Sequence, residues 1–175
     1  LQNLPREDTR IRAAFVAPPG FVVAGLDFNQ LEPRIIAHLS GDVAMAAALV
    51  SGIHDATGKT LAEVLDIEYT PLIRTFGKTC NLALFYGANP GKLRELAAEL
   101  GLELSWEQSA AILEGLKRAY PRAFAYHDEV LLGLRSNRYT KTLLGTVRRF
   151  PDYNQLSGGV KEAAEREGFN HVIQG

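Results

Sequence analysis

Residues 26–42 read LDFNQLEPRIIAHLSGD, and the way this string divides decides the fold. Its left end completes an apolar run over residues 21–28, FVVAGLDF, in which Asp27 is the first acid. Such a run predicts a buried strand that closes on a carboxylate. Its right end predicts a helix from about Gln30 to Leu39, with Asn29 as N-cap. Pro33 falls in the first turn, where a missing N–H is tolerated, and Gly41 ends the helix. An acid delivered at the end of a strand is held rigidly within reach of solvent, which suits a divalent-metal ligand. A structural or helix-capping aspartate is the alternative at this point.

Upstream, residues 10–16 (RIRAAFV) read as a second β-rich run, joined to the first by a turn at Ala17, Pro18, Pro19 and Gly20. Downstream the period changes to that of helices, expected at about 42–50, 54–65, 71–86, 90–100, 106–119, 121–135 and 158–172. Ser105 and Gln108 have the spacing of a capping box, and Gly101 that of a helix stop. Residues 139–144 and 146–150 flank Gly145 as a hairpin. The class is α+β, mainly helical.

The chain has 175 residues, about one domain's worth. No apolar run approaches the roughly 18 residues of a membrane helix. One cysteine, Cys80, excludes an internal disulfide framework, and the four histidines lack zinc-site spacing with it. The opening residues carry no signal-peptide pattern, so a cytoplasmic protein without membrane association is expected. The start on Leu and the stop on Gly175 suggest a piece of a longer chain. The net charge of −1 hides two cationic segments. Arg135, Arg138, Lys141, Arg148 and Arg149 stand in one without an acid, and Arg74, Lys78, Lys92 and Arg94 in the other. Both suggest contact with a polyanion; a solvated charged face is the plainer alternative.

Arg74, Lys78, Leu82 and Tyr86 recur every four residues and are followed by Gly87. On a helix, neighbours at that interval lie roughly 6 Å apart along one face, so the two cations can straddle a triphosphate. Ile73, Phe76, Cys80 and Leu84 supply a separate apolar stripe. Arg166, Asn170 and Gln174 repeat the spacing and can donate to the minor-groove acceptors common to every base pair. Two further strings are decoys. Residues 87–93 fall one residue short of a P-loop and have Leu93 where a metal-binding hydroxyl is required. His127, Asp128 and Glu129 sit inside a helical pattern, where the two acids form a solvated face.

LDFNQLEPRIIAHLSGD resembles the first catalytic motif of the family A, polymerase I-like DNA polymerases, and RTFGKTCNLALFYG resembles their fingers-helix motif, with Leu82 at the usual aromatic position. EREGFNHVIQG resembles the family helix that senses the minor groove. Residues 1–5, with Arg10, Ile11 and Arg12, resemble the segment ahead of the first motif. The resemblance covers essentially the whole chain and leaves host or phage origin open. It implies fingers helices plus part of the antiparallel palm sheet of a right-hand polymerase. Residues 1–41 would be partial palm, 42–135 fingers, and 136–175 the fingers–palm hairpin and helix. It also implies deoxynucleotide addition to a primer 3′-end by two Mg²⁺ ions, with Asp27 catalytic and metal ligation by Asp27 and the Phe28 carbonyl. The nucleotide would meet Phe28, Gln30, Glu32 (excluding a 2′-hydroxyl), His54, Arg74, Lys78, Leu82 and Tyr86. Primer–template DNA would meet Gln2, Asn3, Arg12, Arg166, Asn170 and Gln174. The family's second catalytic carboxylate lies on an H-D-E hairpin beyond Gly175, so the remaining palm and thumb would be partners and the fragment alone inactive. A non-catalytic module of the same fold, binding DNA or nucleotide, is the alternative.

Overall fold

The computed structural model describes residues 9–175. It is mainly helical, with one small antiparallel sheet: α1 (Thr9–Ala13), α2 (Leu31–Ser40), α3 (Val43–Ser51), α4 (Ile53–Leu65), α5 (Pro71–Phe85), α6 (Pro90–Glu99), α7 (Trp106–Ala119), α8 (Pro121–Asn137), β1 (Tyr139–Lys141), β2 (Val147–Arg149), a 3₁₀ turn (Tyr153–Gln155) and α9 (Gly158–Gln174). None of the described helices is long and apolar enough to cross a membrane.

The expected helices form with the caps their residues allow. Ser105 and Gln108 close the capping box of α7 reciprocally, with bonds of 3.1 and 2.8 Å. Asn89 accepts from the Lys92 N–H at 2.9 Å and Pro90 opens α6, so the P-loop-like string is an ordinary helix start. Gly41 and Gly101 follow α2 and α6 in left-handed conformation. β1 and β2 pair Tyr139 with Arg149, Thr140 with Arg148 and Lys141 with Val147. The Thr142 hydroxyl accepts from the Thr146 N–H at 3.1 Å, which ends the hairpin strands earlier than expected.

Residues 9–28 depart from expectation in part. Among residues 10–16 the chain forms α1 instead of a strand, Ala14 donating to the Arg10 carbonyl at 3.2 Å. The turn at Pro18–Pro19–Gly20 is present: Phe21 donates to the Pro18 carbonyl at 3.0 Å, and Gly20 takes φ +85°, the position of a type II turn that glycine fills without strain. Residues 21–28, however, are neither a strand nor buried; Val22 is 88% and Leu26 98% exposed. A strand exists only through its ladder partners, and among the described residues the sheet consists of β1 and β2. The N-cap of α2 is also corrected. Gln30, in left-handed conformation with φ 55° and no side-chain cap bond, takes that place, not Asn29. Arg34 instead reaches back through Nε to the Asn29 carbonyl at 2.9 Å.

The main core runs through α2–α9 and includes Ile36, Met45, Ile53, Phe76, Leu93, Ile112, Leu116 and Phe169. A smaller cluster of Leu134, Phe150, Tyr153 and Ala164 ties α9 to the hairpin end. Two devices set the geometry of the site. Buried Asp42 accepts from the Met45 N–H at 2.9 Å through one oxygen, and from the Arg122 and Ala123 N–H groups at 3.0 Å through the other. One carboxylate thus caps both α3 and α8. Between α4 and α5, Gly58 and Gly77 meet face to face. A Cβ on Gly77 would lie 2.8 Å from the Gly58 nitrogen and 3.3 Å from the His54 carbonyl. Only hydrogen atoms fit there, and this brings α5 against the start of α4.

Candidate active site

Two clusters form around α5. At its N-terminal end, Arg74 and Lys78 are exposed while Ile73, Phe76 and Cys80 pack inward. Burial pushes the Cys80 thiol up to about 12, so it is inert at neutral pH. Arg74 donates from Nε to Asp55 Oδ1 at 2.9 Å, and the Tyr69 hydroxyl donates to the same oxygen at 2.6 Å. The Tyr69 hydroxyl, and next the Arg74 guanidinium, hold Asp55 below the usual carboxylate range. Lys78 pairs with no acid among the described residues. His54 has a buried Nδ1 without a hydrogen-bond partner among them. Burial lowers its pKa first, and the charges of Lys78 and Arg74 lower it further. The imidazole therefore carries unused hydrogen-bonding capacity beside two cations.

The second cluster joins three distant parts of the chain at the C-terminal end of α5. The Tyr86 hydroxyl donates to Glu32 Oε2 in a short hydrogen bond. Gln174 Nε2 donates to Glu32 Oε1 at 2.7 Å and to the Tyr86 oxygen at 3.4 Å. Burial and the Glu32 carboxylate push the Tyr86 phenol upward, so it remains a proton donor. On α9, four and eight residues before Gln174, stand Asn170 and Arg166. The Asn170 side-chain oxygen is buried without a partner among the described residues. Arg166 lines a cavity of about 530 Å³ with Tyr86, Gly87, Asn89, Lys92 and Glu162.

Asp27 is exposed on the segment leading into α2, with Phe28 exposed beside it. Neither side chain nor that of Gln30 bonds to either cluster among the described residues. A carboxylate next to a backbone carbonyl is a hard-oxygen pair suited to a magnesium-like ion. Among the described residues no group of three or more His, Cys, Asp or Glu side chains is placed to hold a metal. Asp27 alone offers one exposed carboxylate, less than a complete metal site. Gln2 and Asn3 lie outside the described residues; Arg12 and Leu82 are on α1 and α5. His127 packs edge-on against Phe169 with centroids 4.7 Å apart, and Asp128 and Glu129 are exposed on α8, as the helical reading expects.

The sequence model of DNA polymerase family A matches residues 1–175. The chain belongs to that family. It is 35% identical over 180 residues to the thermostable DNA polymerase I of a Thermus thermophilus strain, covering 100% of this chain and 21% of that one. DNA polymerase I of Chloroflexus aurantiacus is 36% identical, with 100% and 18% covered. Among solved structures, the POL domain of Pol1 from M. smegmatis, in complex with DNA primer-template and dNTP, matches with a TM-score of 0.77 and 33% identity. That match covers 100% of this chain and 31% of that one. The chain thus spans about a fifth of the length of the curated relatives it matches.

Three residues outside the sequence-derived set complete this geometry. Asp42 joins two helix starts, and the Asp55–Tyr69 pair holds Arg74. Asp42 had a sequence signal as the acid after the Gly41 stop, where an N-cap is expected. Asp55 had only its adjacency to His54, and Tyr69 had none.

Two of the five cations in the segment from Arg135 to Arg149 are already engaged. Arg135 bonds Glu165 at 2.8 Å and Arg148 pairs with Glu167, both acids on α9. The charge of these two is neutralised within the protein, which favours the plainer reading of those two residues.

Proposed function

We propose that this chain is the fingers and part of the palm of a longer polymerase that performs template-directed DNA synthesis. Residues 1–41 then belong to the palm, 42–135 to the fingers, and 136–175 to the hairpin and helix returning to the palm. The observation that carries the reading is the meeting of Glu32, Tyr86 and Gln174, one residue from each of three motifs, around a single carboxylate.

In this reading the incoming deoxynucleotide lies along the exposed face of α5. Arg74 and Lys78 bind its triphosphate, and His54 donates to a phosphate oxygen. A cation held in place before the reaction, as Arg74 is, stabilises charge developing on the leaving group with little reorganisation. Glu32 stands against the sugar at C2′ and excludes a hydroxyl, and Tyr86 stacks at the templating position. Arg166, Asn170 and Gln174 donate to minor-groove acceptors, which sense pair shape without reading sequence. Gln2, Asn3 and Arg12 contact the primer–template. Asp27 and the Phe28 carbonyl would hold Mg²⁺, which when bound activates the primer hydroxyl and neutralises the phosphates. A second carboxylate must come from another segment, so the chain alone is inactive.

The test is Asp27→Asn in the complete polymerase that carries these residues. Nucleotide incorporation on a primer–template should be abolished while binding of DNA persists. Unchanged turnover would defeat the assignment.

A further inference from the structure

Asp55 and Tyr69 were not among the residues expected in the site, yet they touch one that was, Arg74. The Arg74 guanidinium has five N–H donors in a rigid planar fork. One of them, on Nε, is taken by Asp55 Oδ1 at 2.9 Å. Among the described residues nothing accepts from the Nη groups. Asp55 lies in the first turn of α4, where the helix dipole favours a carboxylate, and its own N–H donates to the Gly52 carbonyl at 3.0 Å. The Tyr69 hydroxyl holds Oδ1 at 2.6 Å, and the Tyr69 ring is itself fixed against Gly58, where a Cβ would meet it at 2.8 Å. Oδ1 is therefore met from two sides, by the Tyr69 hydroxyl and by Arg74 Nε.

Arg74 and Asp55 are 48% and 42% exposed, and an ion pair so exposed to water contributes little to folding. Its consequence is orientation. An unheld arginine samples many rotamers, and ordering them must be repeated at each binding event. We propose that Asp55, seated by Tyr69, is a positioning residue for the triphosphate: it grips Arg74 by the Nε edge and keeps the Nη edge available to phosphate oxygens. This rests on the assignment of Arg74 to the triphosphate. The carboxylate also sets a negative charge near the phosphates, so holding and repelling oppose each other. The single-edge grip makes holding the larger effect, because it leaves intact the two-donor edge that matches a phosphate.

The test is single-nucleotide incorporation by the complete polymerase on a primer–template. Asp55→Ala should raise the dNTP KM about five- to tenfold with little change in kcat, the signature of misplaced binding rather than lost chemistry. Asp55→Asn keeps an oxygen that accepts from Nε and should recover most of the loss. Tyr69→Phe should fall between wild type and Asp55→Ala. In an Arg74→Ala background, Asp55→Ala should add nothing further. A KM equal to or below wild type in Asp55→Ala shows that repulsion dominates and overturns the proposal. So does an Asp55→Ala effect that persists without Arg74. If Arg74→Ala alone leaves the KM unchanged, the triphosphate assignment itself falls. Should Asp55→Ala fail to fold, Asp55→Asn and Tyr69→Phe still decide: a KM raised more by Asn than by Phe refutes the grip.

Discussion

Gly77→Ala should push α5 away from α4, and the structure sets the size of the effect. The new Cβ would lie 2.8 Å from the Gly58 nitrogen, 3.0 Å from its Cα and 3.3 Å from the His54 carbonyl. All three are backbone atoms, so no side chain can swing aside. Restoring ordinary contact at about 3.5 Å requires the helices to part by roughly 0.7 Å, a gap that forfeits a quarter to a half of each dispersion contact across the interface. Overpacking of this kind costs about 3 kcal/mol, offset by about 1 kcal/mol from the better helix propensity of alanine. The net loss of about 2 kcal/mol corresponds to a fall in Tm of roughly 4–8 °C. Gly133→Ala on α8 is the control, because a Cβ there meets nothing within 4 Å. It should gain about 1 kcal/mol, or roughly 2–4 °C. Thermal unfolding followed by circular dichroism separates the two variants. In the complete polymerase the nucleotide KM should rise in Gly77→Ala alone, since Arg74 and Lys78 move with α5 relative to His54. Equal stability of the two variants would refute the close approach of α4 and α5.

Asp42→Ala removes the acceptor of three N–H groups on two helices and should lose about 2–4 kcal/mol in denaturant unfolding; Asp42→Asn should lose less, since one oxygen remains. Stability should fall as pH is lowered from about 6.5. Burial depresses the folded-state pKa of His54, His127 and His171 below 6.5, so the unfolded chain takes up protons first. Their contribution is complete above 6.5 and is lost as pH drops toward the folded values. Urea midpoints at several pH values check this, and a midpoint that rises on acidification would contradict it. Leu82 occupies the position where the family motif has an aromatic residue, so Leu82→Phe and Leu82→Tyr in the complete polymerase should change the ratio of dideoxy to deoxynucleotide incorporation; identical ratios would remove the idea.

Helices were legible in this sequence where their signals are local. The Ser105–Gln108 box, Pro90, Pro121, Gly41 and Gly101 each act within one turn of the chain, and α2–α9 begin and end close to where they predict. The segment before α2 misled because the same apolar residues suit a buried strand only when a second strand supplies the ladder. Residues 21–28 have no such partner among the described residues, and their composition could not report that. Asn29 and Gln30 show a subtler failure. Asn is the better cap by propensity, but Arg34 satisfies the Asn29 carbonyl from the helix side and Gln30 makes the turn. The candidate site was legible through spaced motifs, which name residues without saying which of them touch. Tyr69 and Asp55 meet across the α4–α5 connection with no repeat or motif to mark them.

Glu32, Arg74 and Asp27 differ in how firmly they are held, in a way that follows from their proposed tasks. Glu32 has a donor on each oxygen, Tyr86 on one and Gln174 on the other. A side chain that rejects a ligand by shape must not yield, and two hydrogen bonds from different elements prevent it from rotating away. The raised Tyr86 phenol keeps one of those donors protonated. Asp27 has the opposite surroundings, exposed and without a bonding partner among the described residues. A carboxylate that must accept an ion has to leave its oxygens free until the ion arrives. Arg74 stands between these extremes, tied at Nε and open at its far edge. If the proposed roles hold, restraint is greatest where geometry is read and least where charge is received. A variant that frees Glu32, such as Tyr86→Phe, should therefore relax sugar discrimination before it weakens triphosphate binding.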